Sequence, residues 1–171
     1  RKALALNART VAILPSPLNN ILPAQNIGLA REIVENQGLL ITEYLTSPSP
    51  ANFREQAGRY VKRDRLQALF SDLVVLSASY SKTSLDPNNP KPDSGSRHAM
   101  EKAKEYDIKR AVIYNEDYQD NPKYDLNRQI IKEDGLQAIV INPKDIESSL
   151  PSNLKELNGR FSTPEQVGLG F

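Results

Sequence analysis

A chain of 171 residues has the size of one domain, and a hydrophobic content of 39% is enough to close one core. Having no cysteine and a single histidine, His98, it is excluded from disulfide scaffolds, thiolate metal sites, cysteine catalysis and His-rich metal centres. Its 22 basic and 21 acidic residues leave a net charge of +1, which assigns neither a nucleic-acid nor a membrane partner, and its longest apolar runs fall far short of the ~20 residues that span a bilayer.

Strand and helix signals alternate along the chain. Residues 1–9 (RKALALNAR) read as the last turns of a helix, so the chain is expected to enter the fold midway. Thr10–Leu14 (TVAIL) is a short β-branched strand closed by Pro15-Ser16-Pro17. Ala24–Gln37 carries apolar residues at Ile27, Ala30, Ile33 and Val34, spaced for one helical face, with Gly38 as its stop. Leu39–Tyr44 is the next strand, and a Ser/Pro-rich stretch from Thr46 to Asn52 leads into a helix that runs to about Phe70. Asp72–Ala78 (DLVVLSA) has the consecutive apolar residues of a strand covered on both faces. A polar loop, Ser79–Ser94, precedes a helix from about Gly95 to Tyr106 and the strand Arg110–Tyr114. A helix over Asp125–Asp134 stopped by Gly135, a strand Leu136–Ile141 and a short helix opened by Pro143 complete the order.

Strands separated by helices imply right-handed crossovers. The expected fold class is therefore α/β, Rossmann-like, with a mostly parallel sheet and helices on both faces. Residues 1–150 form that domain, and 151–171 a docked or frayed tail. Ligands of such sheets collect beyond the carboxyl ends of the strands, which directs attention to the loops after Leu14, Tyr44, Ala78 and Tyr114.

Five stretches, in order, resemble the Rossmann-type domain of the DNA-processing protein A (DprA/Smf) family. They are Thr10–Asn26, Gly38–Tyr44 (like G-x-L-x-S-E-Y), Tyr60–Asp72 (like F-P-x-R-N-R-x-I-x-x-L-S-D), Ser94-Gly95-Ser96 with Arg97–Ala103, and Tyr124–Leu150 (like G-x-N-x-L-I-x-x-G-A). The resemblance implies a non-catalytic, cytoplasmic single-stranded DNA-binding protein of recombination and natural transformation. It further implies a RecA-type recombinase as partner, self-association as a homodimer, and no cofactor. The departures are informative too. The family's G-S-R and S-G-x-A-x-G-I-D segments have no counterpart here. Its Gly-x-Gly is Pro15-Ser16-Pro17, a poor phosphate cradle because proline donates no N–H. The Asn of its R-N-R is Asp64, and Lys82–Asp93 is inserted.

Two places can hold phosphate. Arg54–Arg65 sets five basic residues against Glu55 and Asp64. Lys62, Arg63 and Arg65 suit phosphate oxygens, and Tyr60 beside them can stack on a base. The bland alternative is the solvated face of an amphipathic helix, with Asp64 as an internal counter-ion. Ser94, Gly95 and Ser96 open a helix whose N–H groups and dipole favour an anion, and Arg97 adds a cation; the alternative is an ordinary N-cap. The two places are expected to face one groove. Tyr114–Asp125 is acidic and aromatic, and reads as a loop or a protein contact. Glu43 and Asp72 can form a carboxylate pair, but carboxylates at strand ends are commonplace. No Walker loop, catalytic triad, metal site or P-G-G-x-G-T-x-x-E loop is present, so catalysis is not expected. Two other readings stay open: a nucleotide-binding sensor module, and a degenerate domain kept for structure or assembly.

Overall fold

The computed structural model describes residues 1–45, 50, 52–89 and 95–146. The elements are α1 (Lys2–Ala5), β1 (Val11–Leu14), α2 (Ile27–Glu35), β2 (Leu39–Thr42), α3 (Phe53–Leu69), β3 (Leu73–Leu76), α4 (Ser96–Glu105), β4 (Lys109–Ile113), α5 (Asp125–Asp134) and β5 (Ile139–Ile141). The tail 151–171 and most of the helix expected after Pro143 lie outside the described residues. Among the described residues no helix is long and apolar enough to cross a membrane.

Every strand pairing is parallel. β1 pairs β2 with Val11 opposite Leu39, β3 pairs β4 with Leu73 opposite Lys109, and β4 pairs β5 with Ala111 opposite Ile139. The strands form two sheets, β1-β2 and β3-β4-β5, rather than the single sheet expected. One helix spans the break, because α3 packs on β1 as well as β3, and also on α4. The larger core sits on the three-stranded sheet. Leu76 and Val112, opposite each other in register, pack with Met100 of α4 and with Leu126 and Ile130 of α5. Each such side chain contributes about 1.5–3 kcal/mol when fully buried. Parallel strands joined through packed helices give an α/β, Rossmann-like fold.

The helix ends show how local sequence sets the geometry. α1, α2 and α4 each end on a non-glycine residue in the left-handed region: Asn7 (φ 53°), Gln37 (φ 60°) and Asp107 (φ 57°). The next amide returns to the last turn, as in Gly38 N–H to Ile33 O at 2.8 Å and Ile108 N–H to Ala103 O at 2.8 Å. The reversal after α2 therefore falls on Gln37, not on Gly38. Gly38 is small for another reason, since a Cβ there would stand 2.4 Å from Thr10 O and 2.7 Å from Ile33 O. Gly135 does stop α5, at φ 54° and ψ −123°. The three-residue turn it opens delays β5 from the expected Leu136 to Ile139. In α2, Ala30 and Ile33 are buried, whereas Val34 at the edge of the expected face stays 54% exposed.

Candidate functional site

The carboxyl ends of β1 and β2 are stitched together by side chains. Ser16, fully buried between Pro15 and Pro17, accepts the Leu22 N–H on Oγ at 3.0 Å and the Thr42 hydroxyl on its carbonyl at 2.8 Å. Thr42 Oγ1 in turn accepts the Tyr44 N–H at 3.0 Å. The Pro-Ser-Pro turn thus spends its polar atoms inside the fold and presents no cradle for an anion.

Tyr44, placed by this stitching, meets α3. That helix starts where Asn52 Oδ1 accepts the Glu55 N–H at 2.9 Å, an N-cap that satisfies one of the orphan donors of the first turn. Its basic residues then splay around the axis, since positions one or two apart do not share a face. Arg59 and Lys62 lie over the Tyr44 ring, at 4.9 and 6.0 Å from its centroid. Arg65 pairs with Glu43, the neighbour of Tyr44. Arg63 turns to the other side. It lies 5.3 Å from the Tyr60 ring centroid and, with Tyr60 and Gln67, lines a cleft of about 270 Å³ beside β1 and α2. The bland alternative is therefore met in part, because Arg63 donates to Asp64 Oδ1 from Nε at 3.1 Å and Nη2 at 2.7 Å. Among the described residues no bond joins Glu43 to Asp72; Glu43 takes Arg65 instead.

Asp64 is 4% exposed and links the two expected places. Its Oδ2 is 3.8 Å from where a Cβ on Gly95 would stand, so the middle of α3 and the start of α4 are neighbours. Gly95 is the N-cap of α4 at φ −56° and ψ −26°, a conformation open to any residue, and among the described residues no side chain caps this helix. Ser96 is its first residue; Ser94 lies outside the described residues. Lys102 of α4 is near enough for Arg65 to oppose its charge, although its bond to Glu105 dominates and holds the ammonium above its ordinary value. Arg97 does not join Arg63 and Arg65. It lines a different cleft, between α4 and α5, and pairs with Glu101 at 2.9 Å. Sequence reasoning also missed Tyr44, whose place in the G-x-L-x-S-E-Y-like stretch was the available signal.

The far ends of β3 and β4 are closed by the protein itself. Asn127, fully buried, donates to Ser77 O and Ile113 O at 2.9 Å each and accepts the Ser79 N–H at 3.3 Å. Ser79 O accepts the Leu126 N–H at 3.0 Å at the start of α5. Beyond lies the aromatic stretch: Tyr118 and Tyr124 stack at 4.1 Å with Tyr114 edge-on to both. Burial pushes the Tyr124 hydroxyl pKa up, with Tyr118 adding to it.

The arrangement offers cations flanked by two tyrosine rings, next to a helix start, and suits a polyanion with bases to stack. The sequence matches the family of DNA recombination-mediator protein A over residues 1–151. Comparison with curated proteins returns no match.

Proposed function

The chain belongs to the DNA recombination-mediator protein A family, and from that premise we propose that it is a non-catalytic single-stranded DNA-binding protein of recombination and natural transformation. Lys62, Arg63 and Arg65 grip backbone phosphates, the helix start at Gly95–Ser96 contributes its amides and dipole, and Tyr60 offers its ring to a base. A RecA-type recombinase as protein partner, a homodimer and a cytoplasmic location complete the reading, and they rest on the family alone. The observation that carries the reading is the nearness of Asp64 to Gly95, which supports one rim shared by α3 and the start of α4.

Binding is then an exchange of partners. Arg65 is only partly buried against Glu43, at 29% and 33% side-chain exposure, so this pair costs little to open. Arg63 is held more firmly by a buried carboxylate. The double variant Arg63→Ala/Arg65→Ala is expected to weaken dT-oligomer binding by about 2 kcal/mol and to lower the salt slope by roughly 1.4, about 0.7 for each phosphate of the single strand that is no longer neutralised. A variant that binds in low salt as tightly as the parent sinks the proposal.

Asp64→Asn restores the family's Arg-Asn-Arg pattern and releases Arg63 from its bidentate partner. Oligonucleotide affinity is expected to rise about tenfold, roughly 1.4 kcal/mol, and the gain should vanish in an Arg63→Ala background. The rival reading, a domain retained for assembly, draws its support from this same pair and from the consumed Ser16. An unchanged affinity in Asp64→Asn would favour it.

A further inference from the structure

A second cleft lies between α4 and α5, apart from the rim of α3. Its volume is about 220 Å³, below the ~300 Å³ at which pockets begin to hold drug-sized molecules. Lys82 comes from the loop after β3, Arg97 and Lys104 from one stripe of α4, and Arg110 from β4. Four cations thus line one small space. Two carboxylates line it with them, Glu101 and Glu133, and Asp134 stands behind Arg110.

These three carboxylates are already engaged. Glu101 takes Arg97 at 2.9 Å. Glu133 takes Lys104 at 3.0 Å, Arg110 at 3.3 Å and, on its other oxygen, the Gln129 amide at 2.8 Å. The Gln129 amide, together with Lys104 and Arg110, holds the Glu133 carboxyl below the ordinary carboxylate range. Arg110 is 8% exposed and bound to both Glu133 and Asp134. Lys82 forms no ion pair among the described residues, and Lys104 shares its partner with Arg110. Among the described residues the cleft is therefore one negative charge short, and its walls of Met100, Leu126 and Ile130 belong to the buried core. A compact anion that accepts several hydrogen bonds fills that deficit. A phosphate group fits in size and charge, and Arg97 supplies a planar donor fork for it.

We propose that Lys82, Arg97 and Lys104 form a phosphate subsite between α4 and α5. It receives a backbone phosphate of the strand that passes over α3 and the start of α4. This source of the phosphate rests on the single-stranded DNA reading; the subsite itself does not. Arg97, the second residue of α4, follows the helix start directly, and a place in this subsite accounts for its absence from the Arg63 cleft.

The test uses the parent, Lys82→Ala/Lys104→Ala, Lys82→Arg/Lys104→Arg and Arg63→Ala/Arg65→Ala, each checked for fold by circular dichroism. Each is measured for dT-oligomer affinity across salt and for thermal stabilisation by inorganic phosphate. Lys82→Ala/Lys104→Ala is expected to lose about tenfold in affinity and about 0.7 in salt slope, the share of one single-strand phosphate, with the arginine pair restoring both. Loss of phosphate stabilisation with oligomer binding intact assigns the subsite to free phosphate instead. If the parent binds no oligomer, the DNA reading fails, and a phosphate response lost in Lys82→Ala/Lys104→Ala still upholds the subsite. If the parent binds oligomer and Lys82→Ala/Lys104→Ala matches it in affinity, slope and phosphate response, the subsite is overturned. A parent that answers to neither probe overturns it as well.

Discussion

Gly38→Ala is expected to destabilise the domain by about 3 kcal/mol or more, toward the upper end of what overpacking costs. The added methyl would lie 2.4 Å from Thr10 O, 2.6 Å from Ile33 Cγ2 and 2.7 Å from Ile33 O. Two of these three atoms are backbone, so rotating a side chain cannot relieve them. They also belong to the bonds that fix the unit, since Gly38 N–H donates to Ile33 O and Leu39 N–H donates to Thr10 O at 2.9 Å. Relief of the clash therefore shifts the register of β1 against β2 or unwinds the end of α2. Urea denaturation should show the midpoint falling, and a thermal midpoint lower by roughly 10 °C fits a domain of this size. A midpoint within experimental error of the parent would mean that α2 does not approach β1 this closely. Gly28→Ala, at a position where a Cβ meets nothing within 4 Å, is the control and should be neutral or slightly stabilising.

Asn127→Ala should cost about 3 kcal/mol. Its side-chain amide bridges Ser77 O and Ile113 O, one beyond β3 and one in β4, and its oxygen accepts from Ser79, where the loop to α4 begins. Truncation removes the partner of two part-buried carbonyls and of the buried Ser79 N–H, and each group left unpaired bears a desolvation cost. Asn127→Asp is expected to be no better, because it turns a donor of two bonds into an anion facing two carbonyls. Amide hydrogen exchange at Ser79 and Leu126 should accelerate in both variants while that of β1 and β2 stays as in the parent. Equal exchange across the chain would place the clamp elsewhere. The clamp is separate from the α3 rim, so these variants also test whether DNA binding needs the ends of β3 and β4 to be held.

Most of the architecture was legible in the sequence. Short β-branched runs such as Thr10–Leu14 and Leu73–Leu76 leave little choice but strand, and the stretches between them have helical spacing. Parallel pairing followed from the alternation of strand and helix. The division into two sheets did not, because strand adjacency depends on which edges meet in space, and neither β1 nor β3 carries a local mark of being an edge. The delay of β5 was also hidden, since Leu136 reads as apolar strand but is fully exposed in the turn opened by Gly135.

The candidate site divides along the same line. Residue type and order alone determined that this chain is α/β, that it carries the motifs of its family, and that basic residues gather between positions 54 and 65. Only the folded chain decided what each cation does. Helical rotation sends Lys62 and Arg65 toward Tyr44 and Glu43, Arg63 toward Tyr60, and Arg97 away to Lys82 and Lys104. Charge is a property of a residue, whereas the partner that neutralises it is a property of distance. Distance between residues far apart in the chain is set by packing, and that is why the sequence offers Asp64 only as a counter-ion among the basic residues, whereas in the fold it also stands beside Gly95 at the start of α4.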